Sequence, residues 1–164
     1  MHFSRLSLSE LLGMVAAAVL VAALFLLDWY TLADTPGRDG GSDFVCGLNQ
    51  YSCTGYDTFP ILRWLLLAAA AAPFILAYIV MRSHELSWAP GELTMVIGFT
   101  AFVLIAYNGL LDPPGQQTSE IGVSTEVGYF VALLAAAGIA AAGIGRSMEE
   151  QKGTAGTRKA PGTV

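Results

Sequence analysis

Four long apolar stretches constrain this chain more than any other feature of its sequence. They run from about Leu11 to Leu27, Ile61 to Met81, Leu93 to Leu111 and Val127 to Ile144. Each is close to the ~20 residues that a helix needs to cross ~30 Å of hydrocarbon. A bilayer offers no water to backbone N–H and C=O groups, so isolated apolar segments of this length form helices. The sequence predicts four transmembrane helices, at about residues 11–30, 61–81, 92–111 and 126–145.

The chain has few charged residues, and its negative net charge argues against nucleic acid as a partner. Charged residues make up 13% of the 164 residues, against about 25% in ordinary globular chains. So few charges cannot cover a soluble fold, but they suffice if a belt of the surface faces lipid. The net charge of −5 argues against nucleic acid, which needs a cationic surface. We therefore predict an all-α, four-transmembrane-helix bundle at residues 1–146, followed by a flexible cytoplasmic tail at 147–164.

The first apolar stretch has two interpretations, a cleaved signal peptide or a retained helix. Ser7 and Glu10 have capping-box spacing just before it. It ends in Asp28-Trp29-Tyr30 without a small-x-small cleavage site, which favours a retained helix. Trp29 and Tyr30 are then predicted to lie in the aromatic belt at the membrane surface.

The basic residues predict the orientation of the bundle. Two of the eight Lys and Arg residues, Arg38 and Arg63, fall on one side. The other six fall on the side of both termini: Arg5, Arg82, Arg146, Lys152, Arg158 and Lys159. Cytoplasmic segments carry the excess of Lys and Arg, so both termini are predicted to be cytoplasmic in a multi-pass plasma-membrane protein.

Both cysteines of the chain fall in the predicted outer loop, residues 31–60. Oxidising compartments permit disulfides, so Cys46 and Cys53 are predicted to form one. A metal site is the competing interpretation, but His2 and His84, the further ligands it would need, lie on the opposite side. No other cofactor is indicated.

Acidic residues recur at the outer helix ends. Packing of the bundle would bring together Asp28, Asp112 and Glu126, near Arg63. Such carboxylates suit a divalent cation. Salt bridges to Arg63, the sole basic residue near that rim, are the simpler interpretation.

Small residues recur at four-residue spacing in the fourth helix, and Gly138, Ala142 and Gly145 are among them. Such spacing lets helix backbones approach closely. We expect these residues to pack within the bundle; a surface for a membrane-protein partner or a second copy is the alternative.

Several segments resemble a known group of proteins. They are Asp28-Trp29-Tyr30, the run from Phe59 to Leu67, Tyr107-Asn108-Gly109 with the Leu111-Asp112-Pro113-Pro114-Gly115 end of the third helix, and Gly128-Tyr129-Phe130. The chain resembles functionally uncharacterised small four-span integral membrane proteins of high-GC Gram-positive bacteria. The resemblance excludes the long outer loop and the tail, and it implies topology but no activity.

No catalytic set emerges from the sequence. A Ser-His-Asp arrangement would need its members on one side of the membrane, whereas both histidines fall on the predicted cytoplasmic side. The predicted function is therefore non-catalytic: a scaffold, assembly or envelope-interaction component. An oligomeric channel or transport subunit is the alternative, and a membrane enzyme ranks third. A transport subunit should have a polar cavity that reaches the bilayer midplane, whereas a scaffold should be packed there.

Overall fold

A computed structural model describes residues 7–32, 52–82, 89–111 and 123–157 of the chain. Its elements, in chain order, are α1 (Leu8–Leu26), β1 (Asp28–Leu32), β2 (Ser52–Thr54), α2 (Gly55–Thr58), α3 (Leu62–Met81), α4 (Pro90–Ala106), a π-helical turn (Tyr107–Leu111), β3 (Val123–Thr125) and α5 (Val127–Thr157).

In the part of the chain that the structure describes, four helical segments are long and apolar enough to cross a membrane. They are Leu8–Leu26, Leu62–Met81, Pro90–Leu111 and Val127–Glu149. The predicted set of four spanning helices is thus confirmed at the level of length and composition. Apolar side chains along these helices, such as Leu12, Phe99 and Leu134, are exposed on the outside of the bundle, as expected for helices that face lipid.

α1 begins with the predicted capping box. The Glu10 amide donates to Ser7 Oγ at 3.3 Å, and the Ser7 amide donates to Glu10 Oε2 at 3.0 Å. The helix ends at Leu26, earlier than the predicted end at residue 30. The Trp29 indole N–H donates to the Ala23 carbonyl at 2.8 Å, so it satisfies one of the acceptors that a helix C-terminus leaves open.

Beside the predicted all-α bundle the structure has a three-stranded antiparallel sheet, which the sequence did not predict. β1 is its central strand, and the order is β2-β1-β3. Tyr30 of β1 lies opposite Cys53 on one side and Thr125 on the other. Trp29, Tyr30 and Thr31 are residue types that favour strands. The pairing partners of Tyr30 and Thr31 come from segments distant in sequence. The apolar pattern of the first stretch therefore could not reveal where the helix stops.

α4 and α5 approach until their backbones touch near the middle of both spans. A Cβ added to Gly98 would lie 2.4 Å from the amide nitrogen of Ala140, and one added to Gly143 would lie 2.2 Å from that of Met95. Neither position has room for a methyl group. Small residues make this close packing possible, which favours association between helices in lipid.

α5 extends well beyond its membrane-spanning part and ends at Thr157. Residues 147–157 of the predicted tail are therefore helical, and 158–164 lie outside the described residues; the flexibility and cytoplasmic location of the tail stay predictions. The extension opens with the good helix formers Met148, Glu149, Glu150, Gln151 and Lys152. Polar composition alone had suggested disorder, but propagation from an already formed helix costs no new nucleus.

Candidate functional site

The three strands and α2 form a small cap at one end of the bundle, where α1 and α4 end and α3 and α5 begin. We call this structure the cap. We call the opposite end, where α1 begins and α3 ends, the terminal end.

Aromatic side chains form the core of the cap. Trp29, Tyr30 and Tyr129 are each 0% exposed. The Trp29 ring centroid lies 6.2 Å from that of Phe59 and 6.0 Å from that of Tyr129, in edge-to-face arrangements. Each such pair contributes about 0.5–1.5 kcal/mol beyond the area that it buries. Trp29 and Tyr30 therefore join the sheet to α5, which corrects their predicted place in the aromatic belt.

The Tyr30 hydroxyl is buried and has no hydrogen-bond partner among the described residues. Burial, with a smaller contribution from nearby Tyr129, raises the pKa of Tyr30 well above its ordinary value. The Tyr129 hydroxyl, by contrast, donates to the Ile105 carbonyl at 3.4 Å. The two phenols of this core thus differ in whether their polar atom is satisfied.

Of the three predicted rim carboxylates, the structure describes Asp28 and Glu126. Asp28 is exposed on β1, and Asp112 lies outside the described residues. Glu126 accepts a hydrogen bond from Thr31 Oγ1 at 2.9 Å, and its amide donates to the Trp29 carbonyl at 2.8 Å. It therefore supports the junction between β1 and α5. Within the described ranges, no group of three His, Cys, Asp or Glu side chains is placed to hold a metal.

Arg63 is bound by aromatic rings and a backbone carbonyl. Among the described residues, neither Asp28 nor Glu126 forms an ion pair with it. Its guanidinium carbon lies 4.6 Å from the centroid of Tyr56 and 5.6 Å from that of Trp64. One guanidinium nitrogen donates to the Tyr56 carbonyl at 3.4 Å. The predicted salt bridge to Asp28 or Glu126 is replaced by these cation–π contacts, which the sequence does not reveal because Tyr56 comes from a separate helix.

Cys53 lies in β2 and is 1% exposed. It does not occur as a free thiol in the described part of the chain. Its predicted partner, Cys46, lies outside the described residues, so the disulfide stays a prediction.

A charged and hydrogen-bonded network holds the terminal end together. Glu10 of α1 forms a salt bridge with Arg146 of α5, and the two side chains are 5% and 12% exposed. The neighbouring Ser9 hydroxyl donates to Glu149 at 3.1 Å and contacts the Ser7 hydroxyl at 2.6 Å. The network therefore joins the start of α1 to the end of the spanning part of α5.

A small cavity lies beside this network. Its volume is about 10 Å³, near the lower limit for one water molecule. All four spanning helices contribute to its lining, which consists of Ser9, Glu10, Gly13, Pro73, Thr94, Ala142 and Arg146.

The predicted packing residues of the fourth span, which is α5 in the structure, lie against α1. Ala142 Cβ lies 3.4 Å from the position that a Cβ on Gly13 would occupy. A Cβ added to Gly138 would lie 3.2 Å from Ala16 Cβ, and one added to Gly145 would lie 3.6 Å from Ser9 Cβ. These contacts are looser than the backbone contact between α4 and α5.

The Glu10–Arg146 pair is the main feature that sequence reasoning missed. The spacing of Ser7 and Glu10 indicates a cap for α1, and Arg146 served only as evidence of orientation. A usable signal exists: both residues fall at the same predicted end of their spans, where opposite charges near lipid tend to pair. What the sequence lacks is the adjacency of α1 and α5.

Comparison of the chain with protein-family models, with curated proteins and with solved structures finds no match.

Proposed function

We propose that this protein is a non-catalytic, multi-pass component of the plasma membrane, which acts as a scaffold or assembly partner for another membrane or envelope protein or for a second copy of itself. The observation that carries the proposal is the backbone contact at Gly98 and Ala140, near the middle of the α4 and α5 spans. A bundle packed this tightly at its midplane suits a structural role better than a conduit.

The cap is the surface that we propose for the partner. Its aromatic core makes it rigid, and a preorganised surface loses little entropy on binding. In the proposed orientation both termini are cytoplasmic and the cap lies outside the cell, where a disulfide between Cys46 and Cys53 would tie the long loop to β2.

Co-purification from native membranes tests this proposal. The Asp28→Asn, Asp57→Asn double variant removes two exposed carboxylates from the cap. Its matched control, Glu92→Gln with Gln151→Lys, raises the net charge equally, by two, at exposed positions of the terminal end. We expect a stoichiometric partner that is retained by the control and reduced in the cap variant. Equal retention by both variants, or no stoichiometric partner after crosslinking, would contradict the proposal.

An oligomeric channel or transport subunit is the second candidate. The buried Glu10–Arg146 pair favours it, because ionisable groups within membrane helices often mark transport routes. The adjoining cavity, however, extends only to Gly13, Pro73 and Ala142 on its apolar side. Ion flux through liposomes that contain the purified protein, lost in Glu10→Gln, would replace the scaffold proposal with this one.

A further inference from the structure

Arg63 lies where the apolar span of the bundle gives way to the cap. It is in the first turn of α3, which begins at Leu62. Tyr56, on which it rests, stacks with Phe25 in the last turn of α1 at a centroid distance of 4.7 Å. Trp64, its second ring contact, is 58% exposed and faces the surrounding medium. For a membrane-spanning bundle this level is the boundary between hydrocarbon and headgroups, where the phosphate groups of lipids lie.

The guanidinium of Arg63 has more donors than the protein satisfies. An arginine side chain carries five N–H donors. One hydrogen bond, to the Tyr56 carbonyl, uses one of them. Its Nε has no acceptor among the described residues, but it is buried, so only the terminal amino groups are left to bind an external anion. Because neither Asp28 nor Glu126 neutralises it, the charge is held in place without a protein anion in the described part of the chain.

These features together indicate an anion of a particular kind. A guanidinium presents a planar set of donors that matches two oxygens of a phosphate group. The rings of Tyr56 and Trp64 both contact the guanidinium, and contacts that restrict a side chain reduce the entropy it loses on binding. An exposed indole beside it would lie against the glycerol and upper acyl region of a lipid. We propose that Arg63, with Tyr56 and Trp64, binds the phosphate group of one phospholipid in the leaflet on the cap side.

Arg82 provides a matched comparison within the same helix. It lies at the opposite end of α3, and its guanidinium carbon is 5.1 Å from the Tyr78 ring centroid. Among the described residues it therefore has the same charge and one aromatic contact, but not the pair of rings. If any arginine near the membrane surface retained lipid equally well, the two positions would behave alike.

Native mass spectrometry of the full chain, released from detergent, measures the affinity for the first bound lipid. The wild type is titrated with a phosphatidylglycerol and with a diacylglycerol of the same acyl chains, and Arg63→Gln and Arg82→Gln follow with the phospholipid. We expect the wild type to prefer the phospholipid. Arg63→Gln removes the guanidinium together with its two ring contacts, so it should weaken binding about fivefold, which corresponds to about 1 kcal/mol. Arg82→Gln should change it less than about twofold.

Three results would overturn the proposal. The first is equal retention of diacylglycerol and phospholipid by the wild type, a comparison that needs no variant to fold. The second is an equal loss in Arg63→Gln and Arg82→Gln, or no loss in Arg63→Gln, with circular dichroism and size exclusion showing that both are folded. The third is that inorganic phosphate raises the melting temperature of the wild type as much as the phospholipid does, which would assign the site to free phosphate.

Discussion

The cap and the terminal end close the same bundle with opposite chemistry. At the cap, Trp29, Tyr30 and Tyr129 form an uncharged aromatic core that excludes solvent. At the terminal end, Glu10 and Arg146 meet inside a hydrogen-bonded network. The cap gains stability from area and ring geometry, whereas the terminal end depends on each charge having its partner. Removing one member of a buried pair costs more than the pair contributes, because the remaining charge stays buried.

The largest effect is expected from Trp29→Ala in the cap. This side chain is fully buried, joins two aromatic neighbours and caps α1 through its indole nitrogen. Truncation of a buried aromatic costs about 3–5 kcal/mol. Thermal unfolding in mild detergent should show a loss near the upper end of that range. A loss below about 1 kcal/mol, outside the range for such truncations, would mean that the cap does not contribute to the stability of the bundle.

The second-largest loss of stability is expected from Arg146→Gln at the terminal end. It leaves the Glu10 carboxylate buried without its cation, and loss of one partner of a buried pair costs about 3 kcal/mol or more. The double variant Glu10→Gln, Arg146→Gln restores neutrality and should recover most of that loss. If the double variant is no more stable than Arg146→Gln, uncompensated charge is not the cause.

Gly55→Ala tests how tightly the cap is packed. Its new Cβ would lie 2.4 Å from the Trp29 ring, whereas a Cβ on Gly145 at the terminal end would lie 3.6 Å from Ser9 Cβ. Overpacking typically costs about 1–3 kcal/mol, so Gly55→Ala should destabilise by about 2 kcal/mol. Gly145→Ala should be neutral or slightly stabilising, since alanine favours a helix by up to about 1 kcal/mol over glycine. Equal melting temperatures for the two variants would contradict this difference in packing.

The smallest changes in stability are expected from removing the hydroxyl groups of the two buried tyrosines of the cap, and the two changes should have opposite signs. Tyr30→Phe removes a buried hydroxyl that has no partner among the described residues, so it should raise stability by about 1 kcal/mol. Tyr129→Phe removes the bond to Ile105 and should lower stability by a similar amount, about 1 kcal/mol. Unfolding by heat at neutral pH measures both, and a loss in Tyr30→Phe would indicate that its hydroxyl is satisfied.

Alkaline pH provides a second test of Tyr30. Its pKa is raised in the folded state above the ordinary value of 10.0, so above that pH the unfolded chain loses the phenol proton first. The unfolded state then binds fewer protons, and stability falls as pH rises. Tyr30→Phe should lack this contribution, so its melting temperature should fall less between pH 9 and pH 11 than that of the wild type; parallel curves would exclude the effect.

Local patterns predicted the helices well and their ends less well. Four apolar stretches and the Ser7–Glu10 spacing depend on residues close in sequence, and the structure contains the spans and the capping box where they were expected. The end of α1 depends on Trp29, which is buried by Phe59 and Tyr129 from distant segments. The predicted contacts of Arg63 with the acidic residues at the outer helix ends illustrate the same dependence on residues distant in sequence. Arg63 had acidic neighbours in the predicted topology, but its actual contacts are the rings of Tyr56 and Trp64.

The sequence by itself determined that this chain forms four apolar helices, because hydrocarbon leaves a continuous apolar segment no other way to satisfy its backbone. Only the tertiary structure decided which ends carry which chemistry. Trp29 and Tyr30 form strand and core instead of helix and belt. Tyr30 pairs with β2 and β3, the Trp29 carbonyl accepts from the Glu126 amide, and the Tyr129 ring packs against both side chains. Glu10 meets Arg146 because α1 and α5 are neighbours. Adjacency between helices depends on the fit of small residues across their whole length, and no single stretch of sequence contains that information.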